Sequence, residues 1–405
     1  MNSLNPKNPV QDKETMSEWK EIMLTEITEK IGDGLHGTPK YDENGDYFFI
    51  NGNNLIEGKI IIKQETRKVN KSEFDKYKKP LSDKTILLGI NGTIGNLAIY
   101  NGENCVLGKS ACYINVNNKV NKQFLYYNFL NRDFQNFLEG IATGTTIPNV
   151  PLKGLRDYTL SLPSLSEQTA IAEVLSSLDD KIDLLHRQNK TLEQLAEALF
   201  RQWFVNRPEP AEGEESWEEK GLDEIAEFLN GLACQKFPRK SGENGLPVIK
   251  IKEMRTGITE SSDWATADVP EKYIIENGDM LFSWSGSLDV VLWFGGKGVL
   301  NQHLFKVSSD KYPQWFYYFW TMHHLQEFKG IADDKATTMG HIQRHHLSDA
   351  IVIIPPKNEL QRMNEIVNPL FQKIKSNTQQ IHTLTQLRDS LLPKLMSGEI
   401  RLNRI

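Results

Sequence analysis

At 405 residues the chain is long enough for two or three domains, because single cores rarely grow past roughly 250–300 residues. Its 39% hydrophobic and 25% charged content is ordinary for a globular protein, and a net charge of −6 argues against a uniformly basic nucleic-acid coat while leaving room for a local basic groove. Three cysteines without a C-x-x-C fit neither a disulfide framework nor a zinc ribbon, no apolar run is long enough for a membrane span, and the polar start "MNSLNPKNPVQDKETMSEW" lacks a secretory core, so a cytoplasmic protein is expected.

After a polar extension (1–16), the segment 17–160 reads as a mixed globular domain. Short β-like runs at Tyr47–Ile50, Ile86–Ile90 and Ala98–Tyr100 alternate with Asn-Gly and Asp-Gly turn signals, and Gln123–Leu138 reads as an aromatic-rich helix. A helical region follows (161–206), where Ile171, Leu175, Leu178, Ile182, Leu185, Asn189, Leu192, Ala196 and Leu199 alternate steps of four and three. The Pro-, Glu- and Gly-rich stretch around 207–213 reads as a solvated linker.

From 214 the order of blocks repeats. "SEWKEIMLTEIT" finds its counterpart in "ESWEEKGLDEIAE", "KTILLGINGTIG" in "GDMLFSWSGSLD" and "FLYYNFL" in "WFYYFWT". Likewise "LEGIATGTTIPNV" matches "FKGIADDKATTMGHIQRHH", and "LSLPSLSEQTAIAEVLSSLDDKI" matches "IVIIPPKNELQRMNEIVNPLFQKI". A period near half the chain is too long for a solenoid unit, so a whole domain plus helix is duplicated. The second domain (214–353) holds β-like runs at Val248–Ile251 and Ile351–Ile354 and a helix at Gln314–Phe328. In the distal region (354–405) Met363, Val367, Leu370, Ile374, Asn377, Ile381, Leu384, Arg388, Leu391 and Leu395 form a second heptad series.

Seams sustained for about four heptads each predict a coiled coil, with Asn189 and Asn377 fixing register at a cost in stability. The plainer alternative is that each helix packs only on its own domain, but exposed seams of this length invite aggregation. The expected fold is therefore α+β, two globular domains separated by an antiparallel coiled coil, with pseudo-two-fold repetition. A helix of about 35 residues at 1.5 Å per residue spans about 50 Å. That is the scale for holding two modules one DNA turn apart or a little more, about 34–36 Å.

Catalytic motifs are wanting. "LGKS" at Leu107–Ser110 has Glu103 where a P-loop needs glycine. No G-x-G-x-x-G follows a strand, and neither an adenine-methyltransferase signature nor a nuclease Pro-Asp step occurs. His323-His324 and the group His341, His345 and His346 lack a nearby carboxylate or thiolate in a ligand role, so no metal site is expected. Basic charge is concentrated from Lys59 to Lys84, where it could neutralise phosphates or simply form a solvated face.

The doubled architecture, the "SLPSLSEQTAIAEVLSSLDDKI" junction with its later copy, and the phrases "GLHGTPKY", "GDMLFSWSGSL" and "LNQHLFKV" together resemble the specificity (S) subunit of type I restriction–modification systems over 17–405. The second junction departs from the pattern, with Leu360-Gln361 where the first has Glu167-Gln168. The resemblance implies target-recognition domains at 17–160 and 214–353, each reading half of a bipartite, asymmetric double-stranded DNA site, and helices that set the spacer. It also implies docking of two methyltransferase subunits and of restriction/translocase subunits. S-adenosylmethionine, ATP and Mg would then belong to those partners, with no cofactor, metal or catalytic residue in this chain. A non-catalytic coiled-coil adaptor with protein-binding ends is the alternative. Residue type, repeat correspondence and loop context make His36, Lys40, Asn51, Asn53, Asn91, Thr93, Lys109, Thr145, Thr146 and Asn149 the DNA-contact candidates of the first domain. Those of the second are Lys250, Lys252, Ser283, Ser285, Gln302, His303, Thr337, Thr338, His341 and Arg344.

Overall fold

In the computed structural model the described residues are 19–144, 146–206, 217–334 and 340–402. The chain divides into two compact units, one running to Asp179 and resuming at Leu387, the other Asp180–Gln386.

The first unit is closed by an antiparallel ladder between Lys20–Met23 and Thr159–Leu162, which brings the two ends of the globular segment together. Inside it, a four-stranded antiparallel sheet runs in the order Thr28–Asp33, Ala111–Val116, Thr85–Gly89, Leu97–Ile99. A smaller sheet pairs Tyr47–Ile50 in parallel with Cys105–Leu107. Thr85–Gly89 and Ala111–Val116 are buried along their whole length, and two of their polar side chains satisfy each other, Thr85 Oγ1 donating to Asn115 Oδ1 at 2.8 Å. The helix expected over Gln123–Leu138 is two helices, Lys122–Leu130 and Arg132–Ile141. The break is at Asn131, whose side chain accepts the Arg132 N–H at 2.9 Å and starts a new helix.

The second unit has the same plan. Glu218–Gly221 closes on Ile351–Ile354, and Glu227–Asn230, Leu304–Ser308, Met280–Ser283 and Asp289–Leu292 form the four-stranded sheet in that order. Leu246–Ile249 lies parallel to Gly298–Leu300 in the smaller sheet. Its helix, Gln314–Asp334, is unbroken, and Phe319–Leu325 holds no Asn to interrupt it. Tyr47–Ile50 and Ile351–Ile354 are strands as read, whereas Thr85–Gly89, Leu97–Ile99 and Leu246–Ile249 sit one or two residues before the expected runs. The last of these shifts because Ile251 already opens a helix, capped by the Glu253 carboxylate on the Lys250 N–H.

Each closing ladder runs through a proline into a long helix, Leu165–Phe200 or Lys357–Met396. The seam positions are all buried or half-buried, while Leu184, Leu195, Ile366 and Leu387, off the seam, are exposed. In the first unit Ile171 and Leu175 are buried, and Leu178 and Leu391 half-buried. The helices there run antiparallel, with Asp179 paired to Arg388 at 2.9 Å and Glu167 to Arg401 further out. In the second unit Ile182, Leu185, Asn189, Val367, Ile374 and Asn377 are buried. Leu192, Leu199, Met363, Leu370, Ile381 and Leu384 are half-buried. Asn189 Nδ2 donates to Thr378 Oγ1 at 3.0 Å and Asn377 Nδ2 to Gln188 Oε1 at 3.4 Å, but both Oδ1 atoms are buried without a partner.

The ladders also correct the alignment of the two junctions. Lys20 pairs with Leu162 as Glu218 pairs with Ile354, so Pro163 corresponds to Pro355, Glu167 to Glu359 and Gln168 to Leu360. The glutamate is retained; the glutamine is what changes. In the first unit the Gln168 amide, 1% exposed, accepts the Asn121 N–H at 2.8 Å and donates to the Pro163 carbonyl at 2.9 Å. In the second, the residue preceding the helix is Pro313, which has no N–H to offer, and Leu360 has no acceptor. For the bond to Asn121, donor and acceptor have disappeared together, a replacement that is nearly neutral where loss of one partner is not.

Replacing Gln168 by Leu therefore strands the Asn121 N–H and the Pro163 carbonyl, and is expected to cost about 1–3 kcal/mol in urea denaturation of the full chain. Leu at both Asn189 and Asn377 is expected to do the reverse. It removes two unpartnered buried oxygens and should raise the unfolding free energy by about 1 kcal/mol or more per site, read as a higher urea midpoint. A lowered midpoint would show that these amides support the seam.

Candidate nucleic-acid interface

In the first unit the segment after Thr28–Asp33 crosses the end of Cys105–Leu107, where Leu35 N donates to the Leu107 carbonyl at 2.7 Å. Beside it Gly108 N bonds Ile50 O (2.8 Å), Ile90 N bonds Ser110 O (3.0 Å) and Val150 N bonds Ile90 O (2.8 Å). Gly92, in the left-handed region at φ 71°, donates to the Pro148 carbonyl at 3.5 Å. The second unit repeats the set: Leu232 N to Leu300 O (2.9 Å), Asn301 N to Ile249 O (3.2 Å) and Trp284 N to His303 O (3.4 Å). Ile342 N to Trp284 O (3.0 Å) and Gly286 N to Gly340 O (2.8 Å) complete it, with Gly286 at φ 64°. Single bridges Asn91–Asn149 and Ser285–His341 occupy corresponding places. At Gly34 and Gly231 a Cβ would strike the carbonyl of Gly108 or Asn301, so glycine permits the crossing in both units.

This backbone frame aligns Asn51 with Lys250, Asn91 with Ser285, Lys109 with Gln302, Ser110 with His303 and Asn149 with His341. One scaffold thus carries two unlike sets of side chains. The first is mainly amides: Ser110 Oγ donates to Asn51 Oδ1 at 3.0 Å, and Asn91 Nδ2 to Asn149 Oδ1 at 3.4 Å. His36, Asn51 and the exposed Lys109 line one cavity of about 450 Å³ together with Tyr41 and Phe49, and His36 pairs with Asp33. The second set is imidazoles and indole. Ser285 Oγ meets His303 Nδ1 at 2.9 Å, and the Trp284 ring lies 6.0 Å from His303 and 6.3 Å from His341.

Other candidates lie apart from these clusters. Lys40 and Asn53 are exposed, and Thr146 is exposed on the loop that ends at Asn149. Lys250 pairs with Asp263 and Lys252 Nζ donates to Ser261 Oγ at 2.7 Å. Thr145, Thr337 and Thr338 fall outside the described residues. Two candidates point inward. Ser283 is fully buried, its hydroxyl bonded to the Ser287 carbonyl and the Asp289 N–H, and the Thr93 hydroxyl is buried facing Gly52. Neither hydroxyl can reach a base edge. The Arg344 guanidinium donates to the Phe228 carbonyl at 3.2 Å and lies over the Phe305 ring. Arg156 makes the same kind of bond to Ile31 O at 2.9 Å, so both arginines fasten a short helix to the edge strand of the main sheet.

Ser110 and Trp284 are absent from the sequence-based candidates. Ser110 lies in "LGKS", whose Gly-Lys-Ser suggests only a phosphate loop, and Trp284 lies in "GDMLFSWSGSLD", read only for its match to the first half. Several basic residues between Lys59 and Lys84 are folded onto neighbours: Arg67 over Tyr41, Lys68 over Phe48, Lys76 over Tyr77, and Lys84 paired with Glu29 at 3.3 Å. Burial pushes the Cys105 thiol up to about 12, far from a nucleophilic thiolate. Among the described residues no group of three His, Cys, Asp or Glu is placed to hold a metal, and no helix is long and apolar enough to cross a membrane.

Comparison with known proteins agrees with the doubled frame. The family model for the type I restriction modification DNA specificity domain matches residues 16–194 and again 214–386. The type I restriction enzyme MjaIX specificity subunit of Methanocaldococcus jannaschii is 28% identical over 297 residues, 68% of this chain and 68% of that protein. The HindI specificity subunit of Haemophilus influenzae is 23% identical over 333 residues, 63% of this chain and 72% of the other. The crystal structure of the type I restriction–modification system S subunit from M. genitalium superposes with a TM-score of 0.61 at 18% identity, over 96% of this chain and 98% of that one, a likeness of fold. With its family matched in both halves and one frame built twice, the chain belongs to the type I restriction–modification DNA specificity family, as a DNA-recognition subunit without catalytic chemistry of its own.

Proposed function

We propose that the chain reads a bipartite, asymmetric DNA site, one half through each recognition unit, and that the two long helices set the spacing between the halves. The single observation carrying this reading is the repeated backbone frame with unlike side chains, Asn51, Asn91, Lys109 and Asn149 against Lys250, Ser285, Gln302 and His341. A symmetric site would call for like residues at like positions; two different sets fit two different half-sites. Lys40, Asn53, Thr145 and Thr146 of the first half, and Lys252, Thr337 and Thr338 of the second, are proposed as flanking contacts.

Two methyltransferase subunits dock on the helices and bring S-adenosylmethionine to an adenine in each half-site. Restriction/translocase subunits join them with ATP and Mg. The relatives named above are specificity subunits of type I restriction enzymes, which supports this division of labour. The complex works on DNA in the cytoplasm.

Mapping modified adenines in the source cells with the gene intact and deleted is the test. Loss of methylation at one two-part motif of fixed gap is expected, and an unchanged map would sink the reading. The assembled complex should also lose at least about tenfold in DNA affinity between 50 and 200 mM salt, the fall for only two neutralised phosphates. Salt-independent binding would favour a protein-binding adaptor instead.

A further inference from the structure

One position of the shared frame carries a sharper reading, which rests on the DNA-recognition function proposed above. Lys109 and Gln302 each follow the residue whose N–H bonds the Ile50 or Ile249 carbonyl, and each precede the residue whose carbonyl accepts from Ile90 or Trp284. Both ends of the position are therefore pinned by backbone bonds in both units, and only the side chain differs.

Lys109 is exposed, and among the described residues its ammonium has no carboxylate partner. It offers three N–H donors and no acceptor. In the major groove that suits guanine, whose O6 and N7 are both acceptors.

Gln302 is held differently. Its Nε2 lies 3.3 Å from His303 Nε2, and His303 Nδ1 lies 2.9 Å from the oxygen of Ser285, which is 4% exposed. An amide nitrogen can only donate, so His303 Nε2 accepts, and the imidazole proton sits on Nδ1, donated to Ser285 Oγ. This relay fixes the direction of the amide. The amide keeps a second N–H, and among the described residues its oxygen has no partner. One donor beside one acceptor matches adenine, which presents N7 and the N6 amino group. The first unit has Ser110 and Asn91 in place of His303 and Ser285, and no such relay.

We infer that this frame position is the specificity determinant for one base pair in each half-site, guanine through Lys109 and adenine through Gln302, with His303 and Ser285 positioning the Gln302 amide.

The experiment is the methylated-adenine map of source cells carrying Lys109→Gln, Gln302→Lys or His303→Ala in the full chain, with the native partner subunits. Lys109→Gln is expected to move one position of the first half-site from guanine towards adenine by about tenfold or more, the weight of one good base contact. The second half-site and the gap stay as they are. Gln302→Lys makes the converse change in the second half-site only. His303→Ala relaxes that same position while leaving every other base and the gap unchanged, an outcome that general loosening of the unit would not give. Motifs identical to wild type in both lysine–glutamine exchanges would overturn the inference, as would changes scattered over several positions. Should Lys109→Gln abolish methylation, Lys109→Ala decides: a motif relaxed at one position supports the assignment, and any other result overturns it. A wild-type map with no two-part motif would instead remove the underlying function, so the two failures are distinguishable.

Discussion

The architecture depends on a ladder of four residue pairs in each half. Lys20–Met23 pairs with Thr159–Leu162, and Glu218–Gly221 with Ile351–Ile354. Each ladder brings together chain segments more than a hundred residues apart, and the entropy of closing such a loop grows only slowly with its length. Once closed, the unit has a defined exit. The chain leaves the second strand through Pro163 or Pro355 and turns into a helix within a few residues. The direction of the long helix is thereby tied to the sheet edge. Gln168 reinforces that tie in the first unit by joining the junction to the cap of the Lys122–Leu130 helix.

The change from Gln168 to Leu360 illustrates how a duplicated fold can drift. A buried amide is stabilising only while its partners exist, and Pro313 removes the N–H that the equivalent of Asn121 would offer. Leu360 instead packs, half-buried, against the apolar core of the second unit, at the edge of a cavity of about 870 Å³ lined by both prolines and charged side chains. Polar satisfaction and apolar packing are alternative solutions to one geometric problem, and each unit uses one of them consistently.

Much of this was legible in the sequence, and the parts that were not share a cause. The heptad seams can be read because a 3.5-residue period leaves a trace in residue type at every turn. The strands Tyr47–Ile50 and Ile351–Ile354 can be read because both are bounded by turn residues or prolines. What sequence does not carry is direction. Ser283 and Ser285 are two residues apart in one run, yet one hydroxyl closes a hairpin from inside and the other holds an imidazole. Arg344 has the residue type of a DNA contact but spends its guanidinium on the Phe228 carbonyl. The one-residue misalignment of the junctions has the same origin, since Glu-Gln and Leu-Gln look alike as letters and only the ladder register shows that Glu167 answers to Glu359. Asn131, which splits one helix, could have been recognised by its capping chemistry, because Asn before an Arg-Asp pair is a helix start as well as a polar residue within a helix.

On the proposed reading, the frame separates stability from recognition. Its hydrogen bonds join backbone to backbone, Ile50 to Gly108, Ile90 to Ser110 and Val150, and likewise Ile249 to Asn301 and Trp284 to His303 and Ile342. Glycine is needed for the crossing at Gly34 and Gly231 and for the left-handed turns at Gly92 and Gly286; at Asn51, Asn91, Lys109 and Asn149 and their counterparts no backbone bond depends on the side chain. The cores beneath are apolar in both units and are fixed by packing. Side chains at Asn51, Asn91, Lys109 and Asn149 can therefore change without disturbing a backbone bond or opening a cavity. Both copies keep the same fold while differing at all four places. If each unit reads one half-site as proposed, such a subunit can alter what it reads in one half at little cost to folding, and independently of the other half.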